Sequence, residues 1–329
     1  MSIEFDPKAH RSGALALPDI EAIRAAHMRI APHILRTPVL TCAALDDLVG
    51  ATLYFKCENF QKVGAFKARG ACNAVFSLSD LDAAQGVVTH SSGNHGAALA
   101  YAAQRRGIPA YVVMPENAAK VKLANVAQFG AIIRLCQPTQ AAREQACADV
   151  ERETGATLVH PYDNERVIAG QGTAAIELLE AEPSLDIVVA PIGGGGLLSG
   201  TAIAVRSLKP GITIFGAEPA GADDAARGFA SGNVEPLPNP ATIADGLRAT
   251  LSARTLHAIR QHVASIGLAS EGGIARAMRM TWEQMKIIIE PSSAVPLACL
   301  IEGTLSGKGK RIGIIVSGGN VDLDRLPWQ

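Results

Sequence analysis

The chain has 329 residues, of which 48% are hydrophobic and 19% charged, and its formal net charge at pH 7 is −1. This length fits one large or two medium domains with a substantial buried core, and the nearly balanced charge argues against nucleic acid or a membrane surface as a partner. The N-terminus lacks the basic and apolar segments of a signal peptide, and no apolar run is long enough to cross a membrane.

Short apolar runs rich in β-branched residues alternate with amphipathic runs along the chain. Strands are predicted at 52–55, 86–89, 110–114, 131–135, 186–190, 212–215 and 311–316. The clearest helices are predicted at 95–106, 139–153, 173–180 and 197–208, and the Pro-rich stretch 233–240 indicates a surface loop. This alternation predicts βαβ units and therefore an α/β protein with a parallel sheet.

The cysteines are widely scattered, and none forms a Cys-x-x-Cys pair or has the spacing of a zinc site. We therefore expect reduced, mostly buried thiols in a cytoplasmic protein, rather than disulfides or a catalytic cysteine. The six are Cys42, Cys57, Cys72, Cys136, Cys147 and Cys299.

Lys67 follows a Gly-Ala-Phe turn and begins an Ala-rich amphipathic segment. A lysine amine can form a Schiff base with an aldehyde cofactor, which few side chains can do. Taken alone, the stretch favours the simpler interpretation of a solvated lysine at a helix start. The cofactor hypothesis therefore depends on whether other segments supply the remaining parts of a site.

Four consecutive glycines, 193–196, follow a predicted buried strand and open a predicted helix. Backbone amides at such a junction can bind a phosphate, because no Cβ atom blocks the approach and the helix N-terminus favours an anion. A tight turn is the alternative, but it needs only one or two glycines. The spacing does not match the dinucleotide-binding fingerprint.

Two further strand ends carry small and polar residues. Residues 89–96 place hydroxyls, an amide and an imidazole at a helix start, where they can bind a carboxylate, and Ser92 can relay a proton. The alternative there is simple N-capping, which needs one such residue. Residues 315–320 fit a terminal strand and turn nearly as well as a ligand site.

In chain order, the motifs GAFKARGA, SSGNHG, QGT, GGGGLLSG, AEPAGADD, TIADG, EPSSA and SGGN resemble those of fold-type II pyridoxal-phosphate (PLP) enzymes. The resemblance is to the serine racemase, threonine dehydratase and 3-hydroxyaspartate dehydratase group, and it covers roughly residues 38–323. It implies two open, twisted, mostly parallel sheets flanked by helices. A large cofactor-binding domain would comprise 1–78 and 156–329, and a small mobile domain 79–155.

The resemblance also implies a role for each motif residue. Lys67 would carry the cofactor as a Schiff base, and a neutral hydroxyl at the pyridine nitrogen would leave that nitrogen largely unprotonated, which suits β-elimination. The other cofactor contacts would be Phe66 at the ring, Asn94 at the ring hydroxyl, Ser317 at the pyridine nitrogen, and Gly193, Gly194, Gly195, Gly196 and Leu197 at the phosphate.

Substrate and metal residues are implied in the same way. Ser92 would be the second catalytic residue, carrying a proton on the face opposite Lys67. The substrate would be bound by Ser91, Ser92, Asn94, His95, Arg143 and Arg248, and a Mg²⁺ ion (or Ca²⁺ or Mn²⁺) by Glu218, Ala222 and Asp224.

The expected activity is dehydration and deamination of a small β-hydroxy amino acid. Racemases commonly carry serine where this chain has Ala65, and lysine then serine where it has Arg248 and Ala249. Together with Arg143, these differences favour 3-hydroxyaspartate, which would give iminosuccinate or oxaloacetate and ammonia.

Several alternatives stay open at this point. The first is a serine or threonine dehydratase, or a serine racemase. A cysteine-synthase-like β-replacement enzyme is disfavoured, because that group has Thr-Ser-Gly-Asn-Thr where this chain has residues 91–95. A cofactor-binding protein or imine deaminase without dehydratase activity is disfavoured by the glycine and lysine motifs.

The expected assembly is a homodimer.

Overall fold

The computed structural model describes residues 16–91, 93–118 and 120–328, apart from the side chains of Val121 and Gln140. The strands in this part of the chain are β1 (Val39–Leu40), β2 (Thr52–Cys57), β3 (Val87–His90), β4 (Ala110–Pro115), β5 (Ile132–Cys136), β6 (Thr157–Leu158), β7 (Ile187–Pro191), β8 (Thr213–Pro219), β9 (Ser265–Ala269) and β10 (Arg311–Val316). The α-helices are α1 (Ile20–Ile30), α2 (Ala43–Val49), α3 (Lys67–Phe76), α4 (Asp80–Ala84), α5 (Asn94–Arg106), α6 (Lys120–Ala127), α7 (Gln140–Thr154), α8 (Glu165–Ala181), α9 (Gly196–Leu208), α10 (Asp224–Ser231), α11 (Ala253–His262), α12 (Glu271–Met285) and α13 (Pro291–Glu302).

The strands form two sheets. The larger has the order β1-β2-β10-β7-β8-β9, and all its neighbours are parallel except β1 and β2. The smaller is entirely parallel, with the order β5-β4-β3-β6. The predicted fold class of two mostly parallel sheets flanked by helices is therefore confirmed. The small sheet is built from residues between 87 and 158, and the division into domains stays a prediction.

All seven predicted strands are present, with ends that differ by a few residues. The sequence analysis missed β1 and β6, which have two residues each, and β9. A two-residue strand carries too short an apolar pattern to be recognised. In β9 the run Ser-Ile-Gly-Leu-Ala is interrupted by Gly267, where an added Cβ would lie 2.5 Å from the Leu305 side chain.

The helix predicted at 173–180 is longer than expected, and the predicted start at 171–173 is wrong. Helix α8 begins at Glu165, and the Asn164 side chain caps its first turn. Gly170 and Gly172 lie inside this helix, although glycine is a poor helix former. An added Cβ on Gly170 would lie 2.6 Å from the carbonyl oxygen of Arg69, so this glycine allows α8 to cross α3 closely.

Apolar side chains cover both faces of the large sheet. One face packs against α1, α8, α9 and α11, and the other against α2, α12 and α13. Neighbouring residues of a strand point to opposite faces, so Ile315 belongs to the first cluster and Ile314 to the second. No helix within the described residues is long and apolar enough to cross a membrane.

The cysteines are free thiols, and all except Cys42 are buried. Burial raises the pKa of Cys57, Cys72, Cys147 and Cys299 to about 12, so these thiols are protonated and unreactive at neutral pH. The expectation of mostly buried thiols is confirmed, and that of a reducing compartment stays a prediction.

A buried ion network joins α3 to β2 and α8. Arg69 donates to Glu58, at the end of β2, with Nε–Oε2 at 2.7 Å and Nη2–Oε1 at 2.8 Å. It donates to Glu177 of α8 with Nη1–Oε1 and Nη2–Oε2 both at 2.8 Å. Lys56 Nζ lies 2.6 Å from Glu177 Oε2, so two cations balance two carboxylates in the interior.

Replacing Arg69 by methionine should lower the free energy of unfolding by about 3–5 kcal/mol, because it leaves two buried carboxylates with only Lys56 to compensate them. Urea unfolding followed by circular dichroism would measure the loss. The matched control is Arg279→Met, which breaks the exposed Arg279–Glu283 pair (2.7 Å) and should cost at most about 1 kcal/mol. Equal losses in the two variants would contradict a stabilising role for the network.

Candidate active site

The candidate site lies where the carboxyl ends of strands from both sheets meet. The segment before α3 runs beside the segment after β10: Ala65 and Gly318 form an antiparallel bridge, and the amide of Phe66 donates to Ser317 O at 2.9 Å. From the small sheet, Asn94 begins α5. Such strand ends are the usual ligand position in open α/β sheets.

Lys67 is the first residue of α3, and its side chain is half-buried at this meeting point. Its Nζ donates to the carbonyl oxygen of Pro161 at 2.7 Å and lies 5.1 Å from the centroid of the half-buried Phe66 ring. Burial lowers the pKa of Lys67 from 10.5 to about 8, although Glu290 opposes the shift. A much larger fraction of the amine is therefore neutral, and hence nucleophilic, than in a solvated lysine.

The glycine loop, residues 193–196, connects β7 to α9. Gly195 has φ +84, and an added Cβ on Gly194 would lie 2.2–2.4 Å from ring carbons of Tyr162. Among the described residues, none accepts a hydrogen bond from the amides of residues 193–197. Amides without partners at a helix N-terminus form an anion site, which fits the phosphate of the cofactor. The Leu197 side chain is buried in the core below.

Ser317 follows β10 and is buried beside a second hydroxyl. Its Oγ lies 3.0 Å from Ser293 Oγ, which is its hydrogen-bond partner among the described residues. Ser293 Oγ also accepts a hydrogen bond from the Gly318 amide at 2.7 Å. Both groups are neutral, so this corner can meet a ring nitrogen with a hydroxyl but not with a carboxylate.

The residues predicted at the start of α5 have different surroundings. Asn94 Nδ2 lies 3.2 and 3.1 Å from the two carboxylate oxygens of Glu290, and Asn94 Oδ1 accepts from Asn320 Nδ2 at 2.9 Å. Ser91 Oγ accepts from the Gly93 amide at 3.2 Å. Ser92, predicted to be catalytic, lies outside the described residues.

His95 is buried on α5, with Nε2 3.1 Å from Val159 O. Burial, reinforced by the charge of Lys67, holds the pKa of His95 well below its usual value, so the ring is neutral at physiological pH. Its Nδ1 is buried and has no partner within the described residues.

The two predicted substrate arginines differ in whether their N–H groups already donate hydrogen bonds within the protein. Arg143, on α7, is half-buried, and its Nε has no hydrogen-bond partner in the part of the chain that the structure describes. Its charge lowers the pKa of His90, an effect secondary to burial, so the two side chains lie close together. Arg248 is exposed and donates through both Nε and Nη2 to Thr242 O in its own loop.

The predicted metal residues bring together two buried carboxylates. Glu218 accepts from the Ala225 and Ala226 amides at 3.0 and 2.9 Å. Asp224 accepts from the Leu251 amide at 3.3 Å, and its Oδ1 is buried without a described partner.

Burial raises the pKa of Glu218 to about 8 and that of Asp224 to about 6, and the Asp224 charge adds to the shift at Glu218. Two buried carboxylates, one of them with an oxygen that has no described partner, have the chemistry of ligands for a divalent cation. Among the described residues, no group of three or more His, Cys, Asp or Glu side chains gathers as a metal site would.

The sequence analysis missed three residues of this site. Glu290 is the N-cap residue that precedes α13, within the EPSSA motif, and burial raises the pKa of its carboxyl group to about 7. A buried acid before a proline and two serines is a signal that could have been used. Pro161 contributes only a backbone carbonyl, for which the sequence has no signal, and His160 shapes the turn on which that carbonyl lies.

Comparisons with known proteins agree with this geometry. Residues 30–318 match the model of the family described as "Pyridoxal-phosphate dependent enzyme". A β-hydroxyaspartate dehydratase of Paracoccus denitrificans is 52% identical over 313 residues, covering 95% of this chain and 99% of the relative.

Two solved structures are also similar over nearly their whole length. Maize serine racemase has a TM-score of 0.92 and 47% identity, covering 94% of this chain and 95% of that one. The T.th. threonine deaminase has a TM-score of 0.88 and 40% identity, with coverages of 93% and 99%. The chain therefore belongs to the family of pyridoxal-phosphate dependent enzymes.

Proposed function

We propose that this enzyme is an ammonia-lyase that removes water and then ammonia from 3-hydroxyaspartate. The observation that carries the proposal is Lys67, whose amine has a pKa of about 8 and lies among neutral groups at the strand ends. The 52% identity to a β-hydroxyaspartate dehydratase supports the choice of reaction and substrate.

In this proposal the amides of residues 193–197 hold the cofactor phosphate, Ser317 meets the pyridine nitrogen, Asn94 meets the ring hydroxyl, and Phe66 lies near the ring. Lys67 would hold the cofactor before the substrate binds, and after the substrate amine has replaced the lysine, the electron-withdrawing ring would make the Cα proton of the substrate acidic. The absence of a carboxylate at Ser317 favours rapid loss of a β-leaving group over a long-lived carbanion.

The reaction uses Lys67 as the base. Once the substrate amine has released Lys67, the neutral lysine amine accepts the Cα proton. The β-hydroxyl takes up one proton, which balances the one removed from Cα, and leaves as water, so that the product is an enamine that tautomerises to iminosuccinate. Hydrolysis of the imine yields oxaloacetate and ammonia. Ser92 is proposed to carry a proton on the opposite face of the substrate.

The second carboxylate of the substrate is assigned to Arg143. An arginine binds a carboxylate through two charge-assisted hydrogen bonds, and a half-buried guanidinium with a free Nε has the capacity for them. Arg248 is assigned a lesser part, because it is exposed and already donates to Thr242 O. Ser91, Asn94 and His95 complete the proposed substrate contacts at the start of α5.

Serine racemisation is the second candidate, and the likeness to maize serine racemase favours it. It needs a proton donor on each face of Cα, which here would be Lys67 and Ser92. Recovery of the opposite enantiomer from unreacted serine would reveal it.

A divalent cation, Mg²⁺ or else Ca²⁺ or Mn²⁺, is proposed at Glu218, Asp224 and the Ala222 carbonyl. Its role would be structural, because it offsets two buried negative charges that are otherwise costly for the fold to hold.

We further propose that the enzyme is a homodimer located in the cytoplasm. The free and mostly buried thiols support a reducing compartment.

The rate of cofactor incorporation into cofactor-free enzyme should rise with pH and reach half its maximum near pH 8, because only neutral Lys67 attacks the aldehyde. A solvated lysine would reach that point near its ordinary pKa of 10.5. Absorbance of the bound cofactor after mixing gives the rate. Lys67→Ala is the control. It has no amine that can form the Schiff base, so it should show no Schiff-base absorbance band at any pH.

Arg143→Met should lower kcat/KM for 3-hydroxyaspartate by about 10- to 150-fold, the equivalent of about 1.5–3 kcal/mol for hydrogen bonds to a charged group. Serine and threonine, which lack the second carboxylate, should lose much less. The control is Arg152→Met, an exposed arginine of the same helix paired with Asp149. Equal losses of kcat/KM on all three substrates would indicate that Arg143 binds the α-carboxylate, which all three share. Faster turnover of threonine than of 3-hydroxyaspartate by the unaltered enzyme would refute the substrate assignment.

Mg²⁺ should raise the thermal midpoint of the enzyme, with a stabilisation of about 2.7 kcal/mol at roughly 100 times its Kd. Asp224→Asn should abolish this response, whereas Asp223→Asn, which alters a partly exposed neighbour paired with Arg227, should keep it. The response should weaken as pH falls toward 6, because protons compete for both carboxylates. An unchanged response of the thermal midpoint to Mg²⁺ in Asp224→Asn would show that the ion does not bind at this position.

A further inference from the structure

Tyr162 lies between the lysine and the glycine loop. It directly follows Pro161, whose carbonyl accepts the hydrogen bond from Lys67, and its ring contacts Gly194 on the other side. We propose that Tyr162 is a cofactor-positioning residue, whose ring packs on the glycine loop and holds the backbone amides in place for the phosphate. This inference rests on the proposed function through the assignment of the phosphate to that loop.

The contact bears on two of the four consecutive glycines. An added Cβ on Gly194 would lie 2.2–2.4 Å from three carbons of the Tyr162 ring. One on Gly196 would lie 3.0 Å from Tyr162 Cβ. Real Cβ atoms essentially never lie closer than 3.0 Å to another heavy atom, so the missing side chain of Gly194 makes room for the tyrosine ring. A Cβ on Gly196 would be a tight contact that requires Tyr162 to shift slightly.

Tyr162 is itself held by its neighbours. His160 Nδ1 accepts from the Asp163 amide at 2.9 Å, and the rings of His160 and Tyr162 are nearly perpendicular with centroids 4.6 Å apart. Burial lowers the pKa of His160 to about 3, so its Nδ1 can remain an acceptor at neutral pH. The Tyr162 hydroxyl lies near the side chain of Thr250, in the loop after Arg248.

A fixed aromatic ring gives the glycine loop two properties that a phosphate site needs. A run of glycines has high conformational freedom, and packing against the ring reduces the ordering cost of binding. The ring also keeps water from one side of the loop, and hydrogen bonds are stronger in such surroundings. Loss of the ring should therefore weaken the hold on the phosphate but leave the bond to Lys67 intact.

Pyridoxal 5′-phosphate and pyridoxal, which lacks the phosphate, separate these effects. The purified enzyme would be stripped of cofactor and titrated with each compound, with cofactor absorbance and protein fluorescence as readouts. Tyr162→Ala should raise the Kd of pyridoxal phosphate by about 10- to 100-fold and leave that of pyridoxal within about threefold. Tyr162→Phe keeps the ring and should bind both compounds like the unaltered protein.

Equal weakening for both compounds would place the effect at Lys67 or Pro161 and overturn the inference, as would no weakening for either. If Tyr162→Ala fails to fold, Gly194→Ala tests the same contact from the other side, because its Cβ displaces the ring and should give the same selective loss. Gly211→Ala is the control, since an added Cβ there meets nothing within 4 Å. Both readouts report binding alone, so failure of the dehydratase assignment would leave this result unaffected.

Discussion

The five N–H groups of Arg69 are all used in the protein interior, and the geometry of the site depends on that constraint. Nε and both Nη atoms donate to Glu58, Glu177 and Thr173, with one bond for each available hydrogen. A guanidinium is planar, so these bonds fix the rotation and the axial position of α3 relative to β2 and α8. Lys67 lies two residues earlier on the same helix, and its direction follows from this arrangement.

The two sheets are joined by apolar packing and by polar contacts. A buried apolar cluster packs Ala71 and Val75 of α3 against Leu99 of α5, whereas the contacts across the site itself are polar. Lys67 reaches Pro161 after β6, Asn94 reaches Glu290, and Lys122 of α6 lies 2.6 Å from Asp245. Such contacts can break with water taking their place, whereas separating apolar clusters exposes apolar surface to water. The polar contacts across the site are therefore easier to break than the apolar cluster that α3 and α5 share.

The sequence predicted the features that depend on local pattern. Buried strands appear as β-branched runs, and the glycine loop and Ser317 follow such runs directly, so their meeting at one edge follows from parallel topology. The features that could not be predicted from the sequence depend on three-dimensional packing. Gly170 serves a helix crossing, which no local pattern indicates, and Pro161 acts through a carbonyl that every residue possesses.

The charge balance around Lys67 bears directly on substrate choice. His95 and His160 are neutral at physiological pH, Ser317 carries no charge, and burial raises the pKa of Glu290 to about 7, so that its charge is only partial near neutrality. A monocarboxylate substrate therefore enters surroundings with little net charge. A dicarboxylate brings a second negative charge that these neutral groups do not compensate, and its desolvation is costly without a cation. Arg143 is half-buried, and its Nε has no partner within the described part of the protein, so the substrate role proposed for it would also satisfy this buried group.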